Sequence, residues 1–73
     1  MDTTGCKIKF ETFEKSDKTE WARVYFTIPE KGMDELYRTA IPTPMIDTIA
    51  EIFQLIDFNV EITDEKDTPP APL

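Results

Sequence analysis

The side chains that usually carry catalysis are scarce in this chain of 73 residues. It contains no histidine, so no imidazole can act as a base near neutral pH, and the nucleophile candidates Cys6 and Ser16 have no evident activating partner. Cys6 falls on the inward side of a predicted strand, where a small core residue is the ordinary interpretation. Without histidine or a second cysteine, the usual zinc ligand sets are missing as well. We therefore expect no catalytic residue, no metal and no cofactor, and a protein that is not an enzyme.

Paired carboxylates are the remaining groups that could do chemistry. Asp47 and Glu51 are four residues apart in a predicted helix and so share one of its faces. A glycosidase or a metal-dependent nuclease needs two carboxylates at such close range. The same spacing is common on solvated helices, and the run of acids from residue 64 to residue 67 lacks the glycine and the spacing of a calcium loop.

Negative charge is concentrated in the second half of the chain. Residues 1–38 hold eight acids and seven bases, whereas residues 39–73 hold seven acids and one base, and the chain as a whole carries −7. An acidic surface of this kind can compete with nucleic acid for a basic groove on a partner, although a plain solvated surface is the simpler interpretation. Small size and acidic charge are also typical of accessory proteins encoded by phages and other mobile elements, an analogy that rests on size and charge alone. The acidic surface residues that we single out are Asp47, Glu51, Asp57 and Glu61.

A set of aromatic and basic residues forms the most specific pattern in the chain. Phe13, Trp21, Arg23 and Tyr25 fall on one side of a predicted hairpin, and Lys7 and Lys9 fall on the same side. Tryptophan, tyrosine and arginine are enriched in protein interfaces, which predicts a partner-binding surface. Two interpretations compete with it: internal packing against the rest of the chain, and stacking of single-stranded nucleic acid bases. The overall charge of −7 makes nucleic acid binding the least favoured of the three interpretations.

Two alternating segments must position these residues. Residues 6–14 and 20–28 each alternate apolar and polar side chains, which predicts two half-buried strands joined by a polar loop. A one-residue slip would turn every apolar side chain to the wrong side, so the pattern also predicts the pairing. The predicted partners are Phe13 with Trp21, Thr12 with Ala22, Glu11 with Arg23, Phe10 with Val24, Lys9 with Tyr25, Ile8 with Phe26 and Cys6 with Ile28.

The second half predicts helices and a last strand. Apolar residues at helical spacing from Met33 to Ala40 predict a short helix, and a third meander strand over residues 35–41 is the alternative. Thr43 is suited to cap a longer helix that runs from Pro44 to about residue 57. Its apolar arc is broad enough to need a second helix or a partner to cover it. Residues 58–63 alternate again, as a strand does.

These elements predict a single α+β domain over residues 1–63 with a ββααβ order, in which the helices cover one face of a three-stranded antiparallel or mixed sheet. The meander alternative has the order βββαβ. Residues 64–73 predict a disordered, acidic and proline-rich tail. No apolar run is long enough for a membrane span or a signal peptide, so we expect a cytoplasmic protein without membrane contact.

The leading functional hypothesis is a small, acidic, non-catalytic module that binds another protein as an inhibitor or accessory factor. A second copy of the chain, giving a homodimer, is a further candidate partner. The alternative hypothesis is single-stranded nucleic acid binding by the aromatic and basic side of the hairpin.

Overall fold

Four strands and one helix make up the part of the chain that the structure, a computed structural model, describes, residues 3–65. The strands form one sheet in the order β3-β2-β1-β4, with β1, β2 and β3 antiparallel in succession and β4 parallel to β1. The α+β class is as expected, but the sheet has four strands instead of three. The elements are β1 (Lys7–Glu14), β2 (Glu20–Ile28), β3 (Met33–Pro42), α1 (Ile46–Leu55) and β4 (Asn59–Asp64).

The predicted hairpin pairing is confirmed. β1 and β2 pair from Phe13 with Trp21 to Ile8 with Phe26 in the register that the alternation requires. The ladder ends with Lys7 opposite Thr27, so the predicted pairing of Cys6 with Ile28 is not part of it. The carbonyl of Cys6 instead accepts a hydrogen bond of 3.0 Å from the backbone N–H at the start of β4.

The short helix predicted over residues 33–40 is wrong, because this segment is β3, the meander strand of the alternative order. Two irregularities in its pairing with β2 explain the misleading spacing. Met33 and Leu36 are three positions apart, as on a helix, yet they pair with Ile28 and Phe26, which are only two apart. An extra residue in the bulged strand makes up the difference. A helix of eight residues is marginal alone, so the ladder to β2 prevails.

The helix α1 is shorter than predicted and begins differently. A 3₁₀ turn, Thr43–Met45, precedes it, and neither the turn nor the helix receives a side-chain capping hydrogen bond, so the cap expected from Thr43 is absent. Ile46 and Ala50 of α1 are buried against the strands together with Phe58. The core residues contributed by the chain segment 6–24 are Cys6, Ile8, Phe10, Ala22 and Val24.

The second helix expected to cover the broad arc of α1 does not exist among residues 3–65. Ile52, Leu55 and Ile56 are consequently about half or more exposed to solvent. No helix within residues 3–65 has the length and apolar character needed to cross a membrane. The predicted disordered tail lies mostly outside the described residues; β4 extends to Asp64, and nothing beyond Glu65 is described.

Candidate interaction surface

The face of the sheet opposite α1 has no helix or strand over it in the part of the chain that the structure describes. Residues of β1 and β2 that alternate with the buried core residues point to this side. We call this surface the open face. It carries Lys7, Lys9, Glu11, Phe13, Trp21, Arg23, Tyr25, Tyr37 and Glu61. The structure thus places all four predicted partner-binding residues, Phe13, Trp21, Arg23 and Tyr25, on one surface.

Arg23 is the centre of one cluster on the open face. Its guanidinium lies 3.2 Å from a carboxylate oxygen of Glu11 and 3.5 Å from one of Glu65, and its carbon is 4.1 Å from the centroid of the Phe13 ring. The hydroxyl of Tyr25 donates to the same Glu11 oxygen at 3.3 Å. Burial and the neighbouring Glu11 charge raise the pKa of Tyr25, so it remains a protonated donor at neutral pH. A planar cation is therefore held between a ring and two carboxylates.

Lys7 is the centre of a second cluster, at the other end of β1. Its ammonium group lies 3.0 Å from Glu35 and 3.3 Å from Glu61, which come from the two edge strands of the sheet. Hydrogen bonding to Glu35, then to Glu61, raises the pKa of Lys7. Lys9 lies 3.9 Å from Glu35 and 5.6 Å from the centroid of the Tyr25 ring. The predicted pairings of Glu11 with Arg23 and of Lys9 with Tyr25 are both confirmed, the first as an ion pair and the second as a cation–π contact.

Trp21 lies at the end of the open face, beside the hairpin loop. Its indole N–H donates to the Thr19 hydroxyl at 3.0 Å, and that hydroxyl donates to Asp17 at 2.6 Å. The ammonium group of Lys15 is 3.8 Å from the centroid of the indole ring. The loop thus fixes the orientation of Trp21 while the ring stays partly accessible to a partner.

Tyr37 is an aromatic residue of the open face that sequence reasoning missed. It is 50% exposed and packs edge to face against Tyr25, with ring centroids 5.6 Å apart and planes at 69°. The helical interpretation of residues 33–40 hid this contact. The meander alternative would have revealed the contact, because it makes Tyr37 part of the strand that follows β2, the strand of Tyr25.

The predicted acidic surface is divided between two sides of the molecule. Asp47 and Glu51 are exposed on α1, and Asp57 follows the helix with a positive φ of 63°. Glu61 lies on the open face, where it pairs with Lys7. The structure therefore does not bring these four carboxylates together.

The reactive groups of residues 3–65 include one thiol and many carboxylates. Cys6 is buried in the core with 1% exposure, and no three His, Cys, Asp or Glu side chains of the described chain lie close enough to hold a metal ion. A cleft of about 310 Å³ lies beside the ends of β1 and β4, and its lining is mostly carboxylates: Thr12, Phe13, Glu14, Glu20, Asp64 and Glu65. Such a lining offers negative charge and one hydroxyl, that of Thr12, which donates to the backbone carbonyl of Thr63 at 3.3 Å.

Comparison of the chain with models of known protein families, with curated proteins and with solved structures finds no match. The geometry and charge of the open face are therefore the observations that bear on function.

Proposed function

We propose that this protein is a non-catalytic binding module whose open face docks against a protein partner, as an inhibitor or an accessory factor. The observation that supports it is the assembly of Phe13, Trp21, Arg23 and Tyr25, with Tyr37, on one uncovered face of the sheet. Aromatic and arginine side chains are enriched in binding hot spots. Aromatic rings in particular provide a large, rigid contact area at a low cost in conformational entropy.

The ion pairs of this face favour a protein over a nucleic acid as the partner. Lys7, Lys9 and Arg23 each lie within 4 Å of a carboxylate of the same chain. A phosphate would have to displace those carboxylates, and the counterion release that drives nucleic acid binding would be correspondingly small. A protein surface with its own mixed charges can join such pairs without breaking them.

A capture experiment with matched variants tests the proposal. The full chain is immobilised, proteins are captured from a lysate of the encoding organism, and the captured protein is then titrated against the wild type, Trp21→Ala and Leu55→Ala. Leu55 is the control, because it is 79% exposed on α1, away from the open face. We expect Trp21→Ala to weaken binding at least about tenfold, as loss of a hot spot does, and Leu55→Ala to leave it unchanged.

Two results would contradict this function. One is undiminished capture by a folded Trp21→Ala variant, which would place the binding elsewhere. The other is tight binding of a labelled single-stranded oligonucleotide at low salt, measured by fluorescence anisotropy and abolished by the same substitution, which would make the open face a nucleic acid surface.

A further inference from the structure

A second surface, separate from the open face, combines a free strand edge with exposed apolar side chains. β3 is an edge strand, so its outer side belongs to no ladder in residues 3–65. Most of the large hydrophobic residues that the described chain exposes lie on β3 or on α1 and its flanking turns. We call four of them the β3–α1 patch: Leu36, Met45, Ile52 and Ile56.

The position of α1 leaves the β3 side of the sheet uncovered. The helix lies closest to β4 and β1. Its Phe53 ring reaches Phe26 of β2, at 5.6 Å between centroids, and Leu36 is the β3 residue paired with Phe26. Leu36 therefore lies just beyond the last ring that the helix covers, and it is 42% exposed on the helix side of the sheet.

The flank of α1 that carries Ile52 faces this uncovered side. At 100° per residue, Met45, Ile52 and Ile56 fall on one flank of the helix, and the polar stripe that contains Glu51 falls on the other. Crossovers between parallel strands such as β3 and β4 are right-handed in about 98% of cases. That hand turns the Ile52 flank toward β3 and the Glu51 flank toward β4. The patch is thus one strip between the helix and the edge strand.

The arrangement of charges on β3 favours a second copy of the chain as the occupant of this strip. Two chains that each carry −7 repel one another over most of their surfaces, but the patch itself contains no charged side chain. On β3, Asp34 and Arg38 lie on either side of Leu36, at the two irregularities of the pairing with β2, so a two-fold axis near Leu36 brings Asp34 of each copy toward Arg38 of the other. The other edge strand, β4, carries Glu61 and Asp64 with no base, and its self-pairing would oppose like charges.

A single two-fold axis through the β3 edges would cover the whole patch. An axis perpendicular to the sheet keeps both helices on the same side, so their Ile52 flanks meet above the paired strands. The contact area of each copy is the product of two dimensions. The ten residues of β3 span roughly 34 Å, and a strand with a helix layer on it is about 15 Å deep. Each copy would bury on the order of 500 Å², and the total reaches the roughly 1,000 Å² that a specific interface needs.

We propose that two copies of this protein associate through the β3–α1 patch, with the two β3 edges antiparallel to one another and both helices on one face. The dimer does not depend on the function proposed for the open face, which remains exposed on the other side of the sheet. Binding of a different partner and association of two copies would therefore be compatible.

Sedimentation equilibrium of the full chain over a wide concentration range tests this dimer. We expect a species of twice the 8.4 kDa chain mass, and a dissociation constant that Ile52→Lys raises at least about tenfold. Ile62→Lys is the matched control, because Ile62 is 55% exposed against 52% for Ile52 but lies on β4. A wild type that stays monomeric, or a loss of association in both variants alike, would overturn the proposal.

A charge swap tests the pairing about Leu36 by a route that does not rely on apolar residues. Asp34→Arg and Arg38→Asp each set like charges opposite one another across the axis, so each is expected to weaken the dimer, whereas the double variant restores opposite charges and is expected to recover it. Circular dichroism of all three variants checks that the fold persists. A folded double variant as weak as the single ones would refute this pairing.

Discussion

Phe10 and Phe13 lie three positions apart on β1 and on opposite faces of the sheet, so replacing each by alanine separates the core from the open face. Phe10 is fully buried, with 0% exposure. Its replacement removes a complete aromatic side chain and leaves a cavity, at a cost of about 3–5 kcal/mol. A domain of this size has a total stability of roughly 4–11 kcal/mol, at about 0.05–0.15 kcal/mol per residue. Phe10→Ala is therefore expected to remove a large fraction of this stability.

Phe13 is only half-buried, under the guanidinium of Arg23. Its replacement loses a cation–π contact of about 0.5–1 kcal/mol and part of the burial of one ring, so we expect a cost of about 1–2 kcal/mol. Phe13→Ala should remain folded and lose affinity for a partner of the open face. Urea unfolding followed by circular dichroism measures both free energies. Equal costs for the two substitutions, or a cost below about 2 kcal/mol for Phe10→Ala, would refute the burial argument.

Three further predictions concern single interactions. A double-mutant cycle with Glu11→Gln and Arg23→Gln should give a coupling of about 0.5–1 kcal/mol in urea unfolding, because the pair is only partly exposed, and a coupling near zero would contradict the geometry. The hydrogen bond from Lys7 lowers the pKa of Glu35, so its stabilising effect is present above the pKa that this carboxyl has in the unfolded chain and is lost as the pH falls through the folded pKa. An NMR titration should find the Glu35 carboxyl below its usual range and, in Lys7→Met, back in it; no change would contradict the contact. Gly32 has a φ of +69°, so Gly32→Ala should cost about 1–2 kcal/mol despite open space around it, and an unchanged midpoint would contradict that conformation.

The hairpin could be predicted from the sequence because two physical requirements agree there. Ile8 and Phe10 on β1, and Ala22 and Val24 on β2, alternate with polar residues, and only one register buries both sets. β3 could not be predicted with equal certainty, because its irregular pairing with β2 replaces alternation by a spacing of three. Apolar residues spaced three and four positions apart are typical of a helix. Only the pairing with the neighbouring strand shows that this segment is a bulged strand instead.

The open face could be predicted in its residue types but not in its contacts. Alternation alone places Trp21, Arg23 and Tyr25 on one side of the hairpin. The pairing of Lys7 with both Glu35 and Glu61 needs the positions of β3 and β4, on opposite edges of the sheet. Strand order is a long-range property that local patterns do not carry, so the neutralisation of the lysines was not visible in the sequence.

The net charge of −7 limits how this protein can associate, and the structure offers two different ways around it. On the open face, Lys7, Lys9 and Arg23 neutralise neighbouring carboxylates, so contacts there involve ion pairs that salt screens. On the β3–α1 patch the apolar side chains carry no charge, and the two Asp34–Arg38 contacts of the proposed dimer are outweighed by the repulsion between two chains of −7, which salt weakens. Added salt should thus act in opposite directions on the two surfaces, weakening the binding of a charged partner to the open face and strengthening the association of two copies through β3.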